Sequence, residues 1–436
     1  MALITKRVKG AQDILPKDSY KWQFIEKIMR EESASCGYRE IRTPVFEHTE
    51  LFSRGVGETT DVVQKEMYTF DTKGGVSLTL RPEGTAGAAR ALLENAIYND
   101  GLPVKASYFV SCYRYEKPQA GRYREFHQFG LEVYGTSSPA ADAELICTAD
   151  SLFKRLGIDR LFLEINSIGC PECRAKYHDA LKAYFEQYRG ELCATCLSRL
   201  EKNPMRILDC KSPVCKKLAE NAPVILDYLC DECSEHFEKV KEYLDSAGVE
   251  YKVNPRIVRG LDYYTKTVFE FVTDSIGAQG TVCGGGRYDG LIEELGGAHM
   301  PSLGFALGME RLLGLMEAQG IEIPAPPTCD LYVIGIGDRA EKEAFKLVRQ
   351  VRDASLIAES DIVGRSIKAQ MKYADKIKAK FTLVLGDEEL DNGKAFIKNM
   401  ENGEKTEITL GDKFFESFFD VYIQATQKGI ADIENI

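Results

Sequence analysis

The sequence predicts an α+β protein in three parts: a core with antiparallel strand pairs, a cysteine-rich segment, and a C-terminal α/β module. Three observations predict this. Segments pair up with the two-residue alternation of half-buried strands, Tyr108–Tyr115 with Arg124–Tyr134 and Tyr264–Phe271 with the glycine-rich Thr281–Leu291. Of the 13 cysteines, eight fall between Cys170 and Cys233 as close pairs, and the composition changes there. Beyond the proline-rich IPAPPT, apolar runs such as LYVIGIG and FTLVLG alternate with helical stretches. A chain of 436 residues carries about three domains at roughly 150 residues each. The expected boundaries are 1–169 with 249–325 for the core, 170–248 for the insertion and 330–436 for the last module.

In chain order, Ser19–Ser35 places Trp22, Phe24, Ile25, Ile28 and Met29 at helical spacing, with Gly37 as the stop. YREIRTPVFEHTELF reads as extended, with Pro44 at an edge. SLTLRPEGT is a short strand running into Arg81-Pro82-Glu83-Gly84-Thr85, and Ala86–Ala96 follows as a helix that Thr85 caps. The hairpin strands come next, joined by a polar loop from Lys117 to Arg122. Alternation puts Arg124, Phe126, Gln128, Gly130 and Glu132 on one face. Asp142–Leu156 reads as a helix and Arg160–Ser167 as a strand. In the last module, helices cover Ala340–Ala354 and Ser366–Lys378, and Lys368, Lys372, Lys376 and Lys380 recur every four residues.

Composition narrows the function. The chain is 44% hydrophobic and 28% charged, as ordinary folded proteins are. No signal peptide or membrane-length apolar run is present, so a cytoplasmic protein with no membrane partner is expected. A net charge of −11 argues against a protein coated with nucleic acid and leaves room for a local basic patch. In a reducing compartment the cysteines are not a disulfide framework. Cys170/Cys173, Cys193/Cys196, Cys210/Cys215 and Cys230/Cys233 read as zinc knuckles, two closed four-thiolate sites, or as reduced buried cysteines. The pairing between knuckles stays open, and His178 and His236 are near enough in sequence to replace a ligand.

Polar groups converge on RGLDYYTKTVFEF, at Arg259–Phe271. Arginine binds anions through a permanent fork of donors, and two adjacent tyrosines hydrogen-bond polar rings. Gly284–Gly286 lets the backbone turn or approach a ligand closely. A buried hairpin with a tight turn would account for the same pattern. Glu83 and Glu132, if buried, need partners or a ligand.

These segments together resemble the histidyl-tRNA synthetase family of class II aminoacyl-tRNA synthetases, bacterial type, from end to end. GYREIRTPVFEHTELFSRGVG is similar to motif 1, SYFVSCYRYEKPQAGRYREFHQFGLEVYG to motif 2 and PSLGFALGMERLLGLM to motif 3. RGLDYYTKTVFEF and GGGRYDGL resemble the two histidine-specific motifs. The resemblance implies a class II antiparallel catalytic sheet interrupted by a helical cysteine-rich insertion, a C-terminal α/β anticodon-binding domain and a homodimer. It implies ATP-dependent ligation of L-histidine to tRNA(His) through histidyl-adenylate, with ATP bound as its Mg2+ complex. Arg259 and Arg114 are then the catalytic residues at the α-phosphate. Glu83, Gly84, Thr85, Gln128, Glu132, Tyr263 and Tyr264, with the same two arginines, bind histidine. Glu83, Thr85 and Gln128 hold its amino group, while Glu132 and Tyr264 read the two ring nitrogens. Arg114, Glu116, Arg122, Phe126 and Arg311 bind ATP, with Phe126 as the adenine platform. The resemblance also turns the lysine series into a tRNA-binding face. A non-catalytic regulatory paralog of histidine biosynthesis typically lacks these arginines and the last domain. A threonine or proline enzyme would lack RGLDYY.

Overall fold

The computed structural model describes every residue except 1–3, 58, 59, 61, 119, 120, 276–279 and 434–436, with side chains as far as Ala425. Two units form, Met1–Pro324 and Ala325–Ile436.

The first unit opens with α1 (Pro16–Ser35), β1 (Arg39–Glu40), β2 (Phe46–His48), α2 (Thr49–Val56), β3 (Tyr68–Asp71), β4 (Ser77–Leu80) and α3 (Thr85–Glu94). The long hairpin β5 (Val104–Tyr113) and β6 (Glu125–Tyr134) follows, then α4 (Pro139–Arg155) and β7 (Phe162–Ser167). Four helices make the insertion: α5 (Pro171–Glu186), α6 (Ala194–Lys202), α7 (Pro213–Ala219) and α8 (Asp231–Ser246). The chain returns through β8 (Lys252–Val253), β9 (Thr265–Val272), β10 (Thr281–Arg287), α9 (Leu291–Glu294), β11 (Ser302–Gly308) and α10 (Met309–Ala318).

An eight-stranded sheet runs in the order β1-β5-β6-β11-β10-β9-β7-β8. Its six central strands are antiparallel; only the short edge strands β1 and β8 pair in parallel. The two-residue period divides its faces. Phe129, Leu131 and Val133 of β6, Phe269 and Phe271 of β9, and Leu303, Phe305 and Leu307 of β11 point into one core with α1, α4, α8 and α10. The intervening residues Gln128, Gly130, Glu132, Glu270, Gly304 and Ala306 are left to the opposite face, where the polar groups gather. A second sheet, β2-β4-β3, stands apart.

Local structure corrects three sequence expectations. The segment after Pro44 is extended only to His48, because Thr49–Val56 coils into α2. Thr85 is the first residue of α3 rather than its cap. The Glu83 carboxylate takes the capping role instead, accepting from the amides of Thr85 and Ala86, both at 2.7 Å. The lysine series is also shorter than expected: its helix ends at Lys376, and Lys380 lies beyond it, paired with Asp330 at 2.7 Å.

The second unit comprises β12 (Leu331–Gly335), α11 (Asp338–Asp353), β13 (Ala358–Ser360), α12 (Ile367–Lys376), β14 (Phe381–Leu385), α13 (Asp387–Asn392), β15 (Lys394–Asn399), β16 (Lys405–Thr409) and α14 (Phe414–Ile433). Three parallel strands, β13-β12-β14, continue into the antiparallel pair β15-β16. Lys368, Lys372 and Lys376 are exposed on α12. Among the described residues no helix is long and apolar enough to cross a membrane.

Candidate active site

Glu132 sits at the centre of the sheet's polar face, wholly buried. The Tyr108 hydroxyl donates to its Oε1 at 2.9 Å, and the Tyr288 hydroxyl donates to its Oε2. Burial pushes this carboxyl up to about 8, although the hydroxyls of Tyr288, Thr85 and Tyr108 pull the other way. Its neighbour across the sheet is Gly304, where any side chain would overlap Glu132 Oε2. Tyr108 has a parallel arrangement: Gly130 is its cross-strand partner, and Gly84 closes on the same ring.

Three tyrosines wall this site. The ring of Tyr263 is 4.7 Å from that of Tyr264 and 5.4 Å from that of Tyr288. Tyr264 stands toward Arg259, whose guanidinium lies 5.5 Å from its ring centre. Glu83 is buried below, and burial raises its carboxyl; the α3 amides and Arg114 act against that rise. Thr85 Oγ1 is 3.4 Å from the Tyr108 hydroxyl, and Gln128 Oε1 accepts from the Cys112 thiol at 3.3 Å.

Arg259 pairs with Glu270, which also accepts from Thr281 Oγ1 at 2.7 Å. Burial works against the charge of Arg259, and Glu270 and Tyr264 more than offset it, so the guanidinium stays charged. Its buried Nε has no hydrogen-bond partner among the described residues. The guanidinium lies flat on Gly284, within 2.5 Å of where a Cβ would stand. The glycine run therefore makes room for the arginine, a more specific use than the close approach of sheet to ligand that its sequence suggests. Gly285 packs against the backbone of Gly304 and Phe305.

The other arginines lie along the same line. Arg311 donates to the Thr281 carbonyl. Burial lowers its pKa, and the nearby charge of Arg122 lowers it further. Arg122 in turn pairs with Glu116 at 2.8 Å. Arg114 donates to the Pro82 carbonyl at 2.9 Å and lies 5.2 Å over the Phe126 ring. Partly buried like charges held by neighbouring carboxylates and carbonyls are a site for a polyanion. Residues 119 and 120 of the intervening loop lie outside the described residues. A cavity of about 800 Å³ adjoins this region, lined by Arg311, Gly121, Tyr123, His127 and Glu310.

Sequence reasoning missed Tyr108, Tyr288 and Glu270, which hold Glu132 and Arg259 in place. Alternation along the strands could have put Tyr108 and Glu270 on the site face, but only the register of the sheet sets them opposite Gly130 and Gly284. Arg287 was missed as well; fully buried, it anchors GGGRYDGL to α4 through Asp142.

The cysteines divide by geometry. Cys170, Cys173, Cys230 and Cys233 form one group and Cys193, Cys196, Cys210 and Cys215 another, with thiols within 4.8 Å of one another in each. Neither includes a histidine. His236 Nε2 instead lies 3.4 Å from Asp142, and His178 Nε2 is buried without a hydrogen-bond partner among the described residues.

Comparison with known proteins bears on what this constellation does. The family model described as histidyl-tRNA synthetase matches residues 10–312, and the one described as anticodon binding domain matches residues 330–414. The chain belongs to the histidyl-tRNA synthetase family. It is 55% identical to the histidine–tRNA ligase of Acetivibrio thermocellus, over 94% of this chain and 98% of that one. Against the histidine–tRNA ligase of Clostridium perfringens it is 56% identical, over 92% and 96%. The crystal structure of apo histidyl-tRNA synthetase from S. aureus superimposes with a TM-score of 0.82 at 42% identity, covering 95% of this chain and all of that one. A Bacillus halodurans ATP phosphoribosyltransferase regulatory subunit/histidyl-tRNA synthetase shares the fold alone, at 22% identity and a TM-score of 0.64. Members of this family are class II aminoacyl-tRNA synthetases, which use ATP with Mg2+ to join an amino acid to tRNA.

Proposed function

We propose that this chain ligates L-histidine to tRNA(His) through a histidyl-adenylate, with Arg259 and Arg114 at the reacting phosphate. The observation that carries the reading is the buried Glu132, ringed by tyrosines, beside the partly buried Arg259, whose Nε has no hydrogen-bond partner among the described residues. Glu132 accepts from the imidazole N–H of histidine, and Tyr264 donates to the other ring nitrogen. Glu83, Thr85 and Gln128 take the α-amino group, for which a buried carboxylate is the counterion. A site with fixed polar partners rejects apolar amino acids by roughly 10⁴-fold, because they leave those partners unmatched.

In the first step a histidine carboxylate oxygen attacks the α-phosphate of MgATP, the bond to the β-phosphate breaks, and pyrophosphate leaves. Charge on the phosphoryl oxygens grows, and Arg259 and Arg114 are already charged and in place to meet it. Arg311, Arg122 and Glu116 grip the rest of the nucleotide, and Phe126 stacks on adenine. In the second step a terminal ribose hydroxyl of tRNA attacks the histidyl carbonyl, and AMP departs.

The reading includes a homodimer. Phe46 and Phe70 lie in register with Leu80 and Leu78 on one face of the β2-β4-β3 sheet, and both phenylalanines are about half exposed. A second copy covering that face would bury them. The test of function is charging: with MgATP supplied, tRNA(His) should accept histidine and no other amino acid. Charging with another amino acid, or none with histidine, would overturn the reading.

A further inference from the structure

We propose that each cysteine quartet holds one zinc ion, and that the two ions fasten the 259–264 loop, so that histidine recognition depends on metal bound outside the active site. This rests on the assignment of that loop to histidine.

The quartets have the dimensions of closed tetrathiolate sites. Four sulfurs about 2.3 Å from a central ion stand about 3.8 Å apart. Cys170 and Cys173 have Sγ atoms 3.5 Å apart, and those of Cys193 and Cys210 are 3.8 Å apart. Both spacings far exceed the roughly 2.0 Å of a disulfide, and all four thiols are free. Backbone amides point at sulfur as they do around bound thiolates. Cys230 N donates to Cys173 Sγ at 3.1 Å, Cys193 N to Cys215 Sγ at 3.3 Å, and Ser212 N to Cys210 Sγ at 3.5 Å. Cys170, Cys193 and Cys230 each occupy the N-cap position of a helix, so the helices α5, α6 and α8 start at a ligand of each site. Four soft ligands with no open position select zinc in a structural role.

Position gives the sites their function. The first quartet ties the start of the insertion to its end. Arg174, next to Cys173, donates to the Tyr264 carbonyl at 3.0 Å. Glu232, between Cys230 and Cys233, pairs at 2.8 Å with Lys266, a non-glycine residue held at φ +47°. The second quartet brackets Arg206, whose Nη2 donates to the Gly260 carbonyl at 2.7 Å and to Asp262 at 3.1 Å. The recognition loop is thus bonded near both ends to residues carried by metal-held segments. Helices as short as α6 and α7, with 9 and 7 residues, do not hold shape alone and need an external tie.

The test uses the full-length chain purified without chelator, its metal content by mass spectrometry, and histidine-dependent ATP–pyrophosphate exchange. About two zinc ions per chain are expected, falling by one in Cys215→Ser. That variant should raise the histidine KM about tenfold and leave the ATP KM within about twofold. Should Cys215→Ser not fold, Arg206→Ala is the second variant: zinc stays at two, the histidine KM rises alone, and Arg206→Lys recovers part of it. Less than half an ion per chain in the folded wild type, or iron in place of zinc, overturns the metal sites. Two zinc ions with an unchanged histidine KM in Arg206→Ala overturns the fastening role. Two zinc ions without any histidine-dependent exchange in the wild type contradicts the functional reading, and the coupling with it, while the metal sites stand.

Discussion

Glu132 and Gly304 face each other across adjacent strands, and the space that the glycine leaves empty is filled by Glu132 Oε2. The position of the Glu132 carboxylate therefore depends on an atom that is missing from the neighbouring strand. Gly304→Ala should displace the carboxylate from the Tyr108 and Tyr288 hydroxyls. Its histidine KM should rise tenfold or more, and urea unfolding should show a loss of about 1–3 kcal/mol from overpacking. An unchanged KM would mean that Glu132 does not contact histidine.

The raised carboxyl of Glu132 gives a second prediction. Its folded value, about 8, lies above the ordinary carboxylate range, so the ligand-free protein holds this proton more tightly than the unfolded chain does. The resulting stabilisation is complete below the ordinary range and is lost as pH rises through about 8. Accepting an imidazole N–H needs the ionised form, so histidine affinity should change in the opposite sense, rising with pH from about 6.5 to about 8. Glu132→Gln should flatten both profiles, measured as urea midpoints and as histidine KM across pH.

Arg259 is held by Glu270, Tyr264 and the bare face of Gly284, an arrangement that fixes its charge at one point. Arg259→Ala should lower kcat for pyrophosphate exchange by roughly 10²–10³-fold, the size of a lost transition-state donor, with the histidine KM within about threefold. Exchange at the wild-type rate would remove it from the reaction.

Lys368, Lys372 and Lys376 are exposed together on α12. Replacing all three by alanine should weaken tRNA(His) binding and reduce the slope of log K against log salt by about 2. Amino-acid activation without tRNA should be untouched. An unchanged slope would assign the lysines to ordinary solvated surface.

How much of this was legible in the sequence depends on the reach of each interaction. Strand alternation at Gln128–Glu132 assigned the polar face, because side chains two apart must share a side. The arginine and tyrosine pair at Arg259 and Tyr264 stood out because chemistry and sequence lie together there. The glycines at 130, 284 and 304 carried no such message: each acts on a side chain from another segment, and only register brings them opposite. The same distance hid Arg287, whose partner Asp142 is on α4. Thr85 was misread as a helix cap because hydroxyl caps are frequent, whereas Glu83 reaches the two amides from two residues earlier. The cysteine pairing was undecidable in one dimension, since the first knuckle meets the last and the two middle ones meet each other.

The central claim is that the buried carboxylate and its tyrosines select histidine for adenylation by the adjacent arginines. ATP–pyrophosphate exchange measured without tRNA, one amino acid at a time, tests it most directly. The account predicts exchange with histidine alone, reduced at least tenfold in kcat/KM by Glu132→Gln at pH 8. Equal exchange with a second amino acid, or full histidine activity in Glu132→Gln, would contradict it.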